Sequence, residues 1–176
     1  MKSQKFSTPI LLLAFNRPDY LRIQIQALKG LHATSVFVAC DGPRQDNEHD
    51  ESACTEIRKY LHDVHKVFPL KTLIRKKNLG CKYSVSSAID WFFTQVEEGI
   101  ILEDDCLATS SFFIFASALL AKYKMNKQIW HIAGSHFIQT KNLKESYFFS
   151  KKPLCWGWAT WKDRWKKFDA EMSDWP

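Results

Sequence analysis

No apolar run in the chain approaches the roughly 20 residues that a bilayer-spanning helix needs. The basic start "MKSQKFSTPILLLAFNRPDY" leads into an apolar run of only about six residues, followed by Asn16 and Arg17 instead of a small-residue cleavage site. That run reads as a core strand, not as a leader. C-x-x-C spacing is also missing. The five cysteines, Cys40, Cys54, Cys81, Cys106 and Cys155, are odd in number and scattered, which argues against a disulfide framework and a zinc site and sets a reducing, cytoplasmic compartment as the expectation. No internal repeat, low-complexity tract or Pro/Gly/Ser linker marks a boundary, so residues 1–176 read as a single domain large enough to bury one core.

Basic charge is in excess, with a formal net charge of +6 and a pI near 9.0. This admits a polyanionic partner: nucleic acid, an anionic membrane surface or a phosphorylated small molecule. The lysines and arginines come in short groups, "IRKK", "SKKP" and "WKDRWKK", and a solvated surface is the base reading of such groups. Aromatic and basic residues do not interleave as stacking platforms would require, so no nucleic-acid partner is expected. A peripheral place at the inner face of a membrane stays open beside a plain cytoplasmic one.

The order of elements is more informative. "PILLLAF" reads as a buried strand, and "NRPDYLRIQIQALKG" as a helix with Asn16 or Arg17 near its cap, Pro18 early and Gly30 as its stop. "SVFVAC" gives a second strand that breaks at "DGPR", and Ala53, Ile57, Leu61 and Val64 then keep helical spacing. "KTLIRK" is a third strand, "NLGC" a turn with Gly80 at positive φ, and Val85, Ile89, Phe92, Phe93 and Val96 a third helix ended by Gly99. "GIIL" is the fourth strand. Beyond residue 106, "SSFFIFASALLAKYK" predicts a helix begun by Thr109 or Ser110, and "QIWHIAG" and "SYFFS" predict two more strands. A tryptophan-rich segment closes the chain.

This alternation predicts an α/β fold, a mainly parallel Rossmann-like sheet flanked by helices. Ligands of such sheets bind beyond the carboxyl ends of the strands. The residues just past those ends are Asn16, Arg17 and Asp19, then Asp41 and Arg44, then Asn78 and Gly80, and finally Glu103, Asp104 and Asp105. Three adjacent carboxylates repel one another, and a divalent cation among them relieves the repulsion. In extended chain Glu103 and Asp105 would point one way and Asp104 the other. Acids that merely complement the dipole of the following helix are the alternative reading.

In order and separation, "PILLLAFNRPDYL", "VACDGPR", "NLGC", "GIILEDDC" and "WGWATW" resemble the GT-A glycosyltransferases, bacterial family 2-like sugar transferases and the N-acetylglucosaminyltransferase I group in particular. The resemblance runs from Pro9 to Trp165. It implies a metal-dependent, inverting transferase that moves a sugar from a nucleotide-diphosphate sugar, UDP favoured, to a glycan or other hydroxyl acceptor. Residues 1–106 would form the donor-binding half and 107–176 the start of the acceptor-side half. Asp105 would then ligate Mn²⁺ or Mg²⁺. Ala14, Phe15, Arg17, Asp41, Lys82, Glu103 and Asp104 would contact the donor, with Asp41 accepting from the base, and Trp156 and Trp158 would border the acceptor.

An inverting displacement also needs a general base. Asp163, Asp169 and Asp174 are the candidates near the tryptophan segment, and each also reads as an ordinary charge paired with Arg164 or Lys166. None can be assigned, so a C-terminally truncated transferase is expected. A non-catalytic remnant that binds nucleotide or a protein partner is its alternative. Nucleotidyl transfer would call for a glycine-rich phosphate loop early in the chain, and "LLLAFNRPDYL" has no glycine. His131 and His136 read as hydrogen-bonded structural histidines.

Overall fold

The computed structural model describes residues 5–137 and 144–173. Four strands alternate with helices: β1 (Ile10–Ala14), α1 (Pro18–Gly30), β2 (Val36–Cys40), α2 (Glu48–His65), β3 (Leu70–Ile74), α3 (Gly80–Phe93) and β4 (Glu98–Leu102). Then come α4 (Ser110–Tyr123), a two-residue β5 (Ile132–Ala133), β6 (Trp158–Trp161) and a single turn, α5 (Lys162–Trp165). The six strands form one sheet in the order β3-β2-β1-β4-β6-β5. β1 pairs in parallel with β2 and β4, and β2 with β3, whereas β6 runs antiparallel to both β4 and β5.

Strands buried on both faces need apolar residues at every position, which is why these segments read as continuous runs. All five residues of β1 and of β2 are buried. Ile10, Leu12 and Ala14 face a layer made by α1, α2 and α4, while Leu11 and Leu13 pack against Ile89, Phe92 and Phe93 of α3. Each fully buried leucine or isoleucine here contributes about 1.5–3 kcal/mol.

Local chemistry sets the helix ends. Pro18 opens α1, where its missing N–H costs nothing. Asn47 caps α2 by accepting from the Asp50 amide at 3.0 Å. Gly80 enters α3 at φ +74, with the Asn78 side chain accepting from its amide at 3.1 Å.

Several expectations change. α3 stops at Phe93 with Thr94 as its cap, so Val96 lies beyond the helix. "SYFFS" forms no strand, because Tyr147 and Phe149 pack as loop residues against Tyr123. The strand in "QIWHIAG" shrinks to Ile132–Ala133, and the missing sheet partner comes instead from the tryptophan segment, where Ala159, Thr160 and Trp161 of β6 are buried. No helix among the described residues is long and apolar enough to cross a membrane.

Candidate functional site

The carboxyl ends of β1, β2, β3 and β4 bring the predicted polar residues to one rim, held together by contacts between elements. The Ala14 carbonyl accepts from the Asp41 amide at 3.0 Å, which joins the ends of β1 and β2. The Cys54 thiol donates to the Phe15 carbonyl at 3.3 Å, and the Arg44 guanidinium lies 5.5 Å over the Phe15 ring. Asp50, in the first turn of α2, is fully buried. It accepts from Asn16 Nδ2 at 2.7 Å and is gripped by the Arg44 guanidinium, whose hydrogen bonds, followed by that of Asn16, overcome burial and hold its carboxyl far below the usual range. The sequence reading passed over Asp50, since a first-turn acid reads as dipole complement.

Asp41 is a clamp between loops. Its Oδ1 accepts from the Gly42 amide at 2.9 Å, both oxygens accept from the Leu79 amide at 3.1 Å, and Oδ2 accepts from Asn78 Nδ2 at 3.1 Å. The side chain is only 5% exposed. These bonds fix Asp41 at the rim between the ends of β2 and β3, where the resemblance expects an acceptor for a base.

The acidic triplet is not extended. β4 ends at Leu102, and Glu103 to Cys106 turn, with the Cys106 amide donating to the Glu103 carbonyl at 3.0 Å. Gln24 of α1 locks the turn by donating to the Glu103 carbonyl at 2.7 Å and the Cys106 carbonyl at 3.1 Å. The expected alternation of side chains is therefore lost. Asp104 and Asp105 converge on one Arg17 nitrogen, Nη1, at 2.9 and 3.3 Å. Burial, and then the neighbouring Asp105 and Asp104, push the Glu103 carboxyl above its ordinary range. Burial also raises the Asp104 carboxyl, and Arg17 only partly offsets it. A cation between these groups would relieve that strain.

Beside the triplet opens a pocket of about 520 Å³, lined by Asp105, Cys106, Phe112, Ser135, Trp156 and Gly157 among others. Its far wall is the start of β6, where Gly157 turns at φ +69 and its carbonyl accepts from the Gly134 amide at 2.8 Å. Because β6 runs antiparallel to β4, its beginning, not its end, reaches the rim. Trp156 is 59% exposed on the pocket. Trp158 lies within the sheet, stacked on His131 at 4.8 Å and packed near Trp165, so the two tryptophans expected on the acceptor side part company. His131 itself is structural, its Nε2 hydrogen-bonded to the Leu154 carbonyl at 2.7 Å.

The candidate bases fare differently. Asp163 follows the end of β6 that pairs with Glu98, at the amino end of β4, so the whole strand separates it from the rim. There burial raises its carboxyl, but hydrogen bonds from Lys127 and Arg164 outweigh it and hold it at about 2. The structure thus places Asp163, expected as a candidate base, at the opposite end of the sheet from the acids, in ion pairs with Lys127 and Arg164. Asp169 closes a turn by accepting from the amides of Glu171 at 2.9 Å and Ser173 at 2.6 Å. Asp174 lies outside the described residues. The chain after α5 runs back along α3, and the Glu171 carboxylate meets the Lys82 ammonium at 2.9 Å. Glu171, which the sequence reading missed, is thus tied to the helix that starts at the rim, by a contact that no local pattern announces.

A divalent ion has no ready cage here: among the described residues no three histidine, cysteine or acidic side chains come together as a metal-binding group. Asp105 alone, the ligand that the resemblance expects, would leave most of a hard cation's coordination shell to be filled by other oxygens.

No protein-family model matches the sequence, and no curated protein matches it either. Among solved structures, a cytidylyltransferase from Leptospira borgpetersenii serovar Hardjo-bovis (strain JB197) is similar, with a TM-score of 0.53 and 11% identity over 93% of this chain and 63% of that one. The chain therefore spans less than two thirds of that structure's length. At such identity the likeness shows the fold: a mixed α/β, mostly parallel sheet flanked by helices. It also corrects the resemblance drawn from sequence motifs, since the absence of any family match and a neighbour of a different transferase kind leave no ground for assigning the chain to the GT-A glycosyltransferases.

Proposed function

We propose that the chain is a nucleotide-dependent transferase whose donor is a nucleoside-diphosphate sugar, UDP favoured, and whose acceptor is a hydroxyl group entering the pocket. The observation that carries this reading is Arg17 gripping Asp104 and Asp105 at the mouth of the pocket walled by Trp156. A guanidinium and a pair of adjacent carboxylates at the strand ends form a mixed-charge clamp suited to a diphosphate bound with a cation. When bound, Mn²⁺ or Mg²⁺ would supply Lewis-acid stabilisation of the departing phosphate.

The chain's own groups do the rest in this reading. Arg17 orients the diphosphate, Ala14 and Phe15 at the end of β1 border the nucleoside, and Glu103 and Asp104 meet the ribose or sugar. Lys82, once released from Glu171, reaches the leaving group. Phe112 and Trp156 exclude water from the sugar and offer it ring faces. All five cysteines are unpaired, in keeping with a reducing compartment, and a cytoplasmic site of action is part of the proposal.

A second reading, nucleotidyl transfer from CTP to a sugar phosphate, is favoured by the cytidylyltransferase neighbour. It is opposed by the turn after β1, which carries Pro18 and no glycine where a phosphate loop would need free backbone amides.

Calorimetric titration of UDP, with and without Mn²⁺, tests the donor site. Binding should depend on Mn²⁺ and disappear in Asp105→Ala. Binding that survives unchanged in that variant would sink the assignment. UDP released from UDP-sugars supports the first reading, and pyrophosphate released from CTP the second. Binding with neither product would make the chain a nucleotide-binding remnant.

A further inference from the structure

The loop before β6 leaves an unusual number of aromatic rings in water. Phe137 is 71% exposed, Phe149 65%, Trp156 59% and Phe148 39%. They are not scattered. Trp156 meets Phe137 at 5.5 Å, His136 beside it meets Phe148 at 6.1 Å, and Phe149 packs on Tyr147 at 5.9 Å and Tyr123 at 5.8 Å. Linked through the sequence neighbours His136–Phe137 and Phe148–Phe149, these contacts lead from Trp156 on the pocket wall to Tyr123 at the end of α4 and make one aromatic band. Lys122 donates from its ammonium to the Tyr147 hydroxyl at 2.6 Å, and Lys144, Lys151 and Lys152, all exposed, lie within a few residues of Tyr147, Phe148 and Phe149 in the sequence. Within 144–156 the only acid is Glu145.

We propose that this band is a docking face for an anionic phospholipid bilayer, and that it sets the pocket mouth at the level of the lipid headgroups. Aromatic rings flanked by lysines are the side chains that settle at a membrane interface, the rings among glycerol and acyl carbons and the ammonium groups reaching up to phosphates. Charge complementarity selects this occupant. A second copy of the chain meeting the band across a two-fold axis would set the same lysines against one another. Single-stranded nucleic acid is held where basic residues interleave with stacking rings, whereas here Tyr147, Phe148 and Phe149 are consecutive and Lys151 and Lys152 follow them as a block. Trp156 belongs to both the band and the pocket, so the face and the site are continuous. The inference does not depend on the identity of the nucleotide, and its failure would leave the donor reading standing.

Co-sedimentation with vesicles of phosphatidylcholine, alone or mixed with phosphatidylglycerol, tests the proposal. The protein should bind the mixed vesicles, release in high salt and bind phosphatidylcholine alone far less. The double substitution Lys151→Glu/Lys152→Glu should weaken partitioning by at least about tenfold. Phe149→Ser should weaken it too, and far-UV circular dichroism should show both variants folded. No binding to mixed vesicles, or binding unchanged in both variants, would overturn the proposal. A concentration-dependent dimer abolished by Phe149→Ser would hand the face to a second copy, and binding of a single-stranded oligonucleotide that both substitutions remove would hand it to nucleic acid.

Discussion

Asp41→Asn exchanges one oxygen for an amide group at constant volume, and the surroundings have no use for the new donor. The Gly42 and Leu79 amides both point hydrogens at the carboxylate, and so does Asn78 Nδ2. If the asparagine oxygen faces the backbone amides, its NH₂ meets the NH₂ of Asn78. If it turns over, that NH₂ meets two backbone N–H groups. Asn78 cannot flip to oblige, because its Nδ2 donates to the Gly42 carbonyl at 2.9 Å while its oxygen accepts from the Gly80 amide. One charge-assisted hydrogen bond is lost, about 1.5–3 kcal/mol, and one buried donor is left without a partner, about 1–3 kcal/mol. A central value of about 4 kcal/mol corresponds to a fall in Tm of about 8–16 °C in a domain of this size. Differential scanning calorimetry, with urea unfolding followed by tryptophan fluorescence, measures it. A fall of less than about 2 °C would refute the clamp. Normal stability combined with lost nucleotide binding would instead support Asp41 as a contact for the base.

Arg17→Met removes the charge that the acids now share, so calorimetry should show tighter binding of bare Mn²⁺ and weaker binding of UDP with Mn²⁺; a parallel change in both would contradict the shared role of Arg17. In Gly134→Ala the new methyl would stand 2.5 Å from the Phe112 ring and 2.9 Å from the Gly157 carbonyl, costing about 1–3 kcal/mol and pressing the ring into the pocket. Wild-type stability in urea would show that the pocket wall yields freely. Burial lowers the pKa of His131, and its bond to the Leu154 carbonyl only partly offsets this, so folding favours the neutral ring. The stability this provides is complete above the ordinary histidine pKa and is lost as pH falls through the lower folded value, because the unfolded chain binds the proton first. Wild type should therefore lose more Tm than His131→Gln between pH 7.5 and pH 5, and identical losses would exclude the linkage.

The parallel half of the sheet was legible because β1, β2 and β4 are buried on both faces and leave unbroken apolar runs, bounded by Pro18, "DGPR" and the acids. β6 was not. Its four residues, Trp, Ala, Thr and Trp, look like an aromatic platform until β4 is placed beside them, and that pairing is a long-range fact. The positions of Arg17 and the acids followed from the strand ends, but the shape of the triplet did not. Its turn is locked by Gln24, a polar residue on the buried face of α1 that donates across 79 residues of sequence. Asp163 shows the same limit. Its neighbours in sequence suggested the site, and only the direction of β6 shows that it sits at the other end of the sheet.

The reversal at β6 also bears on the order in which the chain can assemble. Every strand that flanks β1 has been synthesised once Leu102 leaves the ribosome, so the parallel core and its acidic turn can form early. The pocket's second wall, Trp156 and Gly157, waits for a segment made much later, after α4 and β5. A growing chain therefore carries a finished charged rim facing a half-built cavity. Until β6 zips onto β4, the edge of β4 is an open strand, a point at which a nascent chain of this protein is exposed to mispairing.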